Sequence, residues 1–374
     1  MREMTKPLDE ARVRTEEHGN AADISLAPAI VVPPHEAHED DLATIDADVV
    51  SPIMAAAPER LPRVLWRALR PRQWTKNVAV LAPLFFAHHA LDPRLAAHAL
   101  IATLAFCLLS SAVYLCNDVV DRERDRRHPA KRHRPIASGA LSVPSAVAIA
   151  ALLAGLALGT FAWLGLAVLA GAVGYLALQA LYTVVLKKQV IVDVIAIAIG
   201  FVLRVATGAL SVGVPISNWL YLCTFLLALF LGFSKRRAEL ALLQERAAAH
   251  RPGLDALSLP LLDQLIAAVT ASTILAFALY TMSPDTIAKF GSEHLMLTLP
   301  CVVYGVFRYL FLVYRKGAGG SPEKLLLRDK PLLIAIALFV LIAGAVIYGP
   351  RPMAGGADRD RSSAAPMSKV SRTP

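Results

Sequence analysis

Between residues 74 and 348 the chain is built from apolar runs of about 20 residues, separated by short charged loops. A run of that length crosses a hydrocarbon core about 30 Å thick as a single helix, and soluble domains do not sustain such runs. Hydrophobic residues make up 56% of the 374 residues, and the mean hydropathy is +0.52. The formal charge of +9 does not indicate nucleic acid, because the basic residues cluster in loops between apolar runs, where membrane topology accounts for them. Cys107, Cys116, Cys223 and Cys301 lie in or at the ends of apolar runs, with neither zinc nor disulfide spacing; they read as small core residues.

The hydropathy pattern predicts an all-α integral membrane protein with about nine transmembrane helices. The spans are 74–90, 93–116, two within the 46-residue apolar stretch 141–186, then 190–212, a span ending near Phe233, 260–282, 295–314 and 331–348. The long stretch needs a tight turn near Phe161 to Gly165. With the N-terminus inside, the inner loops 117–142, 187–189, 234–259 and 315–330 hold 19 Lys and Arg, and the outer loops hold 2. That asymmetry places the N-terminus in the cytoplasm and the C-terminus outside a plasma (inner) membrane. Residues 1–58 are rich in Ala, Pro, Glu, Asp and His without apolar periodicity and read as a disordered cytoplasmic tail. The cluster His35, Glu36, His38, Glu39, Asp40 and Asp41 is a weak metal-binding pattern, more simply a solvated acidic stretch. Residues 351–374 read as a second tail, leaving 59–350 as the membrane domain.

Nearly every reactive group falls on the inner face. Asn117, Asp118, Asp121 and Asp125 follow span two, with the acids three and four residues apart, so that a continuing helix would set all four on one face. Such a face offers oxygen ligands to a divalent cation. Magnesium takes one or two carboxylates plus phosphate oxygens, which points to Asn117, Asp118 and Asp121 as metal ligands. Asp125 then either binds metal or orients a substrate hydroxyl. Arg126, Arg127, Lys131, Arg132 and Arg134 suit phosphate, and Pro129 and Pro135 put Lys131 and Arg134 on a loop able to fold over the site. Taken alone, the arginines fit an ordinary positive-inside loop.

A second inner cluster comprises Tyr182, Lys187, Lys188, Gln189 and Asp193, in which Asp193 either binds metal or substrate or caps and pairs structurally. Arg204 lies inside span five between Gly200 and Gly208; a mid-membrane arginine faces a cavity or a buried partner, here a substrate phosphate or a carboxylate. Lys235, Arg236, Arg237 and Glu239 follow span six, and one or two of them can reach the site. Arg308 reads as snorkelling toward the inner surface. Before span one, Arg70, Arg72 and Gln73 lead to Trp74, an interfacial anchor, and to Lys76 and Asn77, candidate phosphate contacts.

The segment NDVVDRERD at 117–125 resembles the first Asp-rich signature of the UbiA superfamily of intramembrane prenyltransferases, and the nine-helix count agrees. RPRQWTKN at 70–77, DRRHPAKRHRPIASG at 125–139, the run 186–208, FSKRRAEL at 233–240 and LLLRDKPL at 325–332 resemble the branch that makes decaprenylphosphoryl phosphoribose. Typical members carry a second pair of acids four residues apart, whereas Asp193 is followed at that spacing by Ile197. The resemblance implies a UbiA-like bundle with a cytoplasmic-side polar site. The implied reaction moves 5-phosphoribose from phosphoribosyl diphosphate to a polyprenyl monophosphate, with Mg2+ (or Mn2+) as cofactor and homo-oligomers as an assembly. Asp118, Asp121 and Asp125 would be catalytic. Lys76, Asn77, Asn117, Lys131, Arg134, Tyr182, Lys187, Lys188, Asp193, Arg204, Lys235 and Arg236 would bind substrate. The rival readings are a prenyltransferase acting on an aromatic or other small acceptor, and a membrane transporter; no internal repeat supports the latter.

Overall fold

The computed structural model describes residues 60–128, 131–215, 217–244, 258–316 and 322–349. Both predicted tails, with the His35 to Asp41 cluster, lie outside the described residues. Among those described, every regular element is helical. In chain order these are α1 (Leu61–Leu69), α2 (Ala82–Phe86), α3 (Pro93–Val120), α4 (Arg122–Arg127), α5 (Val143–Leu164), α6 (Leu166–Val184), α7 (Val192–Val212), α8 (Asn218–Gln244), α9 (Leu259–Met282), α10 (Pro284–Phe290), α11 (Leu299–Lys316), α12 (Pro322–Arg328) and α13 (Lys330–Tyr348).

Eight of these helices, α3, α5 to α9, α11 and α13, are long and apolar enough to cross a membrane. The starts follow local chemistry. Asp92, Ser142, Ser258 and Asp329 cap α3, α5, α9 and α13 through their side-chain oxygens, each followed within two residues by a proline that needs no backbone donor. The turn expected near Phe161 to Gly165 is a single residue, Gly165 at φ 138°, between α5 and α6. That backbone conformation favours glycine.

The expected first span is not an α-helix. Pro71–Leu81 winds as a 3-10 helix and passes into α2. A 3-10 helix rises ~2.0 Å per residue against ~1.5 Å for an α-helix, so these 16 residues cover about 30 Å. The segment starts beside Arg70, which bonds Asp118 at the end of α3. It leads to Phe85 and Ala90, both hydrogen-bonded to the Tyr348 hydroxyl at the end of α13. It therefore runs between the two ends of the bundle, antiparallel to α3. Two further elements escape the hydropathy reading. Helix α1 packs Val64 and Ala68 against α3 and α5 while exposing Leu61 and Trp66, and α8 continues to Gln244, so Lys235 to Glu239 stand on a helix rather than a loop.

Helices α3 and α7 form the centre: 61% and 56% of their apolar windows are buried, against 17% for α5 and α6. The outward residues of α5 and α6, such as Leu152, Leu156, Trp163 and Val173, are apolar, as a lipid-facing surface requires. Phe106 stacks edge-on with Phe161 and Tyr175 at 5.0 and 5.5 Å and joins α3, α5 and α6. Close approach favours glycine at several places, two of them along α7. A Cβ on Gly171 of α6 would collide with the Thr207 hydroxyl of α7, and one on Gly208 would collide with the Val80 carbonyl of the 3-10 segment. The second collision is with backbone and has no cheap relief. We therefore expect Gly208→Ala to destabilise the protein by about 1–3 kcal/mol, seen as a lower thermal midpoint in detergent; an unchanged midpoint would show that the segment shifts freely.

Candidate active site

Helix α3 carries Asn117 and Asp118 on its last turn. Asp121 sits at the junction (φ −88°, ψ 4°), and Asp125 lies on α4. The backbone still bonds Asp121 to Asn117 (2.9 Å) and Asp125 to Asp121 (2.8 Å), so the helix bends without losing its register. Asp118 and Asp125 are 5% and 1% exposed. Burying such carboxylates is costly unless cations meet them, and cations do. Arg70 Nη2 donates to both Asp118 oxygens at 2.5 and 2.6 Å. Arg134 Nη1 lies between Asp118 Oδ1 (3.0 Å) and Asp125 Oδ2 (2.6 Å). Asp121 faces elsewhere, toward Lys187 (3.2 Å) and Arg124 (3.0 Å). Asn117 Oδ1 accepts from the Thr183 hydroxyl at 2.7 Å, tying α3 to α6.

The pair that converges on one cation position is thus Asp118 with Asp125, not Asp118 with Asp121. Among the described residues no three acidic, His or Cys side chains gather to hold a metal. Two converging carboxylates with an amide oxygen nearby are nonetheless a hard-oxygen set of the kind magnesium uses beside substrate phosphates.

The loop carrying Arg134 is anchored rather than free to fold over. Ile136 and Leu141 are buried with α1 and α3, and Arg126 Nε donates to the Ala137 carbonyl at 3.0 Å. Lys131 is half-buried on the same loop. Burial, then the Lys131 charge, pulls the His128 imidazole below its usual pKa.

Beside this cluster, Asp193 begins α7. Its Oδ1 accepts from the Val194 amide at 2.8 Å, and its Oδ2 takes Arg236 Nε and Nη2, each at 2.7 Å. Arg236 also bonds Glu239 at 2.6 Å, and Tyr182 lies within its electrostatic reach. Lys235 pairs loosely with Glu239 at 4.0 Å, and Lys188 is exposed. The link from Lys187 to Asp193 holds Ile191 at φ 68°, a β-branched residue in the left-handed region, strained by about 1–3 kcal/mol.

Asn77 and Arg204 form a separate knot. Arg204 Nε donates to Asn77 Oδ1 (3.0 Å), Nη1 to the Gly200 carbonyl (3.1 Å) and Nη2 to the Tyr175 hydroxyl (2.7 Å). Asn77 donates to Ser110 at 3.0 Å, which lies eight residues, or about 12 Å, before Asp118 along α3. Among the described residues no carboxylate meets Arg204; the Tyr175 ring, 4.6 Å away, and backbone oxygen do. Trp74 donates to Ser111 at 3.0 Å, and Lys76 is half-buried in the same 3-10 segment. Arg308 forks Asp329, at the start of α13, at 3.0 and 2.8 Å. Arg70, placed before span one and given no role by the sequence, is the group the sequence reading missed. Its signal was its place in RPRQWTKN at 70–77, one of the segments that carry the family resemblance.

Between the 3-10 segment and α7, α8, α9, α11 and α13 lies a cavity of about 460 Å³, lined almost wholly by apolar side chains including Phe86, Phe201, Leu231, Phe277 and Phe339. A bundle with acids and cations gathered at one end and an apolar cavity within is suited to joining a charged soluble reactant to a lipid.

The chain belongs to the UbiA prenyltransferase family, which it matches over residues 78–327. Within that class it is 32% identical to the decaprenyl-phosphate phosphoribosyltransferase of Mycolicibacterium smegmatis over 305 residues, covering 79% of this chain and 95% of the relative. It is 33% identical to the proteins of the same description from Corynebacterium glutamicum (78% and 90% covered) and Mycobacterium tuberculosis (79% and 99%). The fold is similar to that of a UbiA homolog from Archaeoglobus fulgidus solved with GPP and Mg2+, at TM-score 0.57 and 20% identity, covering 76% of this chain and 99% of the other.

Removing Arg236 would leave Asp193 buried without a counter-charge. Arg236→Ala should cost about 3–5 kcal/mol of stability, and Arg236→Met with Asp193→Leu should recover most of it. Denaturation of the single and double variants in detergent measures both, and a single variant as stable as wild type would refute the pairing.

Proposed function

We propose that this protein transfers 5-phosphoribose from phosphoribosyl diphosphate to a polyprenyl monophosphate and releases diphosphate. The observation that carries the reading is the buried Asp118–Arg134–Asp125 cluster, in a chain that spans nearly the whole length of relatives described by that activity. Asp118 with Asp125 or Asp121, and Asn117, would hold a divalent cation, which would supply charge neutralisation for the departing diphosphate.

The chain's own residues do the rest. Lys187, Lys131 and Arg134 bind donor phosphates, and Lys188 and Lys235 stand at the rim. Fixed cations aimed at the leaving group stabilise charge where it develops as the ribose C1–O bond breaks. The lipid phosphate oxygen attacks C1 from the opposite side. It is already ionised at neutral pH, so no side chain need remove a proton. The apolar cavity receives part of the polyprenyl chain and fixes the acceptor relative to the donor. The polar end faces the cytoplasm, as the loop charges favour, in nine crossings if the 3-10 segment is counted.

Prenyl transfer from a prenyl diphosphate fits less well. It calls for a second acidic pair, yet Asp193 is occupied by Arg236 and the residue four positions on is Ile197.

The test supplies purified full-length protein with radiolabelled phosphoribosyl diphosphate, polyprenyl phosphate and Mg2+. Label should enter the lipid phase, chelation should stop it, and Asp118→Asn should lower kcat at least ~100-fold with the protein still folded. Transfer seen instead from a prenyl diphosphate to a small aromatic acceptor would overturn the assignment.

A further inference from the structure

The Asp118 carboxylate sits where an anion from outside would sit. Arg70 Nη2 donates to both of its oxygens, at 2.5 and 2.6 Å, and Arg134 Nη1 closes from another side at 3.0 Å. A guanidinium donates to phosphate oxygens as readily as to a carboxylate. Arg70 is also built into place. It ends α1 and begins the 3-10 segment in a left-handed conformation (φ 54°, ψ 57°), with its guanidinium 5.2 Å from the centre of the Tyr114 ring. A non-glycine residue in that region is uncommon and marks a position fixed by its surroundings.

We infer that Arg70 is a phosphate-binding residue held in reserve on Asp118, and that metal and donor diphosphate each favour the other's entry into this site, by exchange of ionic partners. The inference rests on the phosphoribosyl-transfer reading for the identity of the donor, but not for the exchange itself. Asp118 and Asp125 are paired with Arg70 and Arg134, and Asp121 with Lys187 and Arg124. A cation arriving alone must pull carboxylates off these partners and leave guanidinium groups in a partly buried site without counter-charge. A diphosphate arriving alone must draw the guanidinium groups away and strand Asp118 and Asp125, which are almost wholly buried. Either event leaves a buried unpaired charge, the most expensive product of breaking an ion pair. When both arrive, the carboxylates turn to the metal and Arg70 and Arg134 turn to phosphate, so every charge keeps a partner. The two ligands must then strengthen each other's binding by the same factor, since coupling is reciprocal. No covalent step is involved.

The experiment measures Mn2+ binding to the full-length protein in detergent by the loss of the free-ion EPR signal. The arms are wild type, Arg70→Gln and Arg70→Lys, each with no substrate and with phosphoribosyl diphosphate, corrected for the metal–diphosphate complex in solution. With no substrate, Arg70→Gln should bind Mn2+ about tenfold or more tighter than wild type, because Asp118 is released; Arg70→Lys, which keeps charge but loses the guanidinium, should fall between. Donor should tighten Mn2+ binding to wild type by about 5–150-fold, and this gain should shrink in Arg70→Gln. A merely structural arginine would give equal or weaker metal binding in a folded Arg70→Gln protein, and that result overturns the inference. If Arg70→Gln fails to fold, Arg70→Lys decides by the same measure. Since the metal-only arm needs no substrate, its failure counts against the exchange, while absent phosphoribosyl transfer counts against the function.

Discussion

A charge taken out of water must find a partner, and at one end of this bundle each buried acid meets a guanidinium. Arg70 and Arg134 meet Asp118 and Asp125, Arg236 meets Asp193, and Arg308 meets Asp329; the half-exposed Asp263 likewise meets Arg237, whose guanidinium stacks 3.8 Å from the Tyr314 ring centre. Each pair joins separate segments: α3 to the entry of the 3-10 helix and to the loop after α4, α7 to α8, α8 to α9, α11 to the start of α13. Lipid gives helices no hydrophobic reason to associate, so such bonds and close small-residue contacts decide the packing. The groups that could bind phosphate and metal are therefore the same groups that hold the helix ends together. Stability and chemistry draw on one set of side chains.

Among the described residues, the opposite end shows no such pair. The Tyr348 hydroxyl ties α13 to the end of α2, and Ser283 and Asp92 cap α10 and α3. In the middle, Arg204 is accommodated without a described carboxylate by an amide, a phenol, a backbone carbonyl and aromatic faces. Of the glycines on either side, Gly208 gives the 3-10 segment room to pass, whereas Gly200 offers only its backbone carbonyl to the guanidinium, as any residue there could.

Much of the architecture was legible because lipid imposes length and apolarity on each crossing, and eight helices appear where hydropathy put them, all but α8 within a few residues at both ends. The Asp spacing set Asn117, Asp118, Asp121 and Asp125 on one helix face; in the structure Asp118 and Asp125 meet at Arg134, while Asp121 turns to Lys187 and Asn117 to Thr183. What the sequence withheld were facts about partners. Spacing could not reveal that Arg134 bridges Asp118 to Asp125 while Lys187 claims Asp121, since those choices depend on a loop and a helix remote in sequence. Hydropathy could not distinguish a 3-10 helix from an α-helix over 71–81, because the difference is set by Pro71, by Asn77 bonding Arg204 and by the Val80 carbonyl against Gly208. Helix α1 went unseen because its apolar face is only two turns long, and the extension of α8 because charge ends an apolar run without ending a helix.

That 3-10 segment has a consequence for how the chain is made. It holds Gln73, Lys76 and Asn77 among its apolar residues, so hydropathy alone gives it a weak claim on the bilayer. Asn77 acquires its guanidinium partner from a residue 127 positions later, and Gly208, against which Val80 lies, is synthesised later still. The segment's settled place in the lipid thus waits for α7 to emerge from the ribosome, and early biogenesis must shelter an unfinished N-terminal portion until that helix arrives.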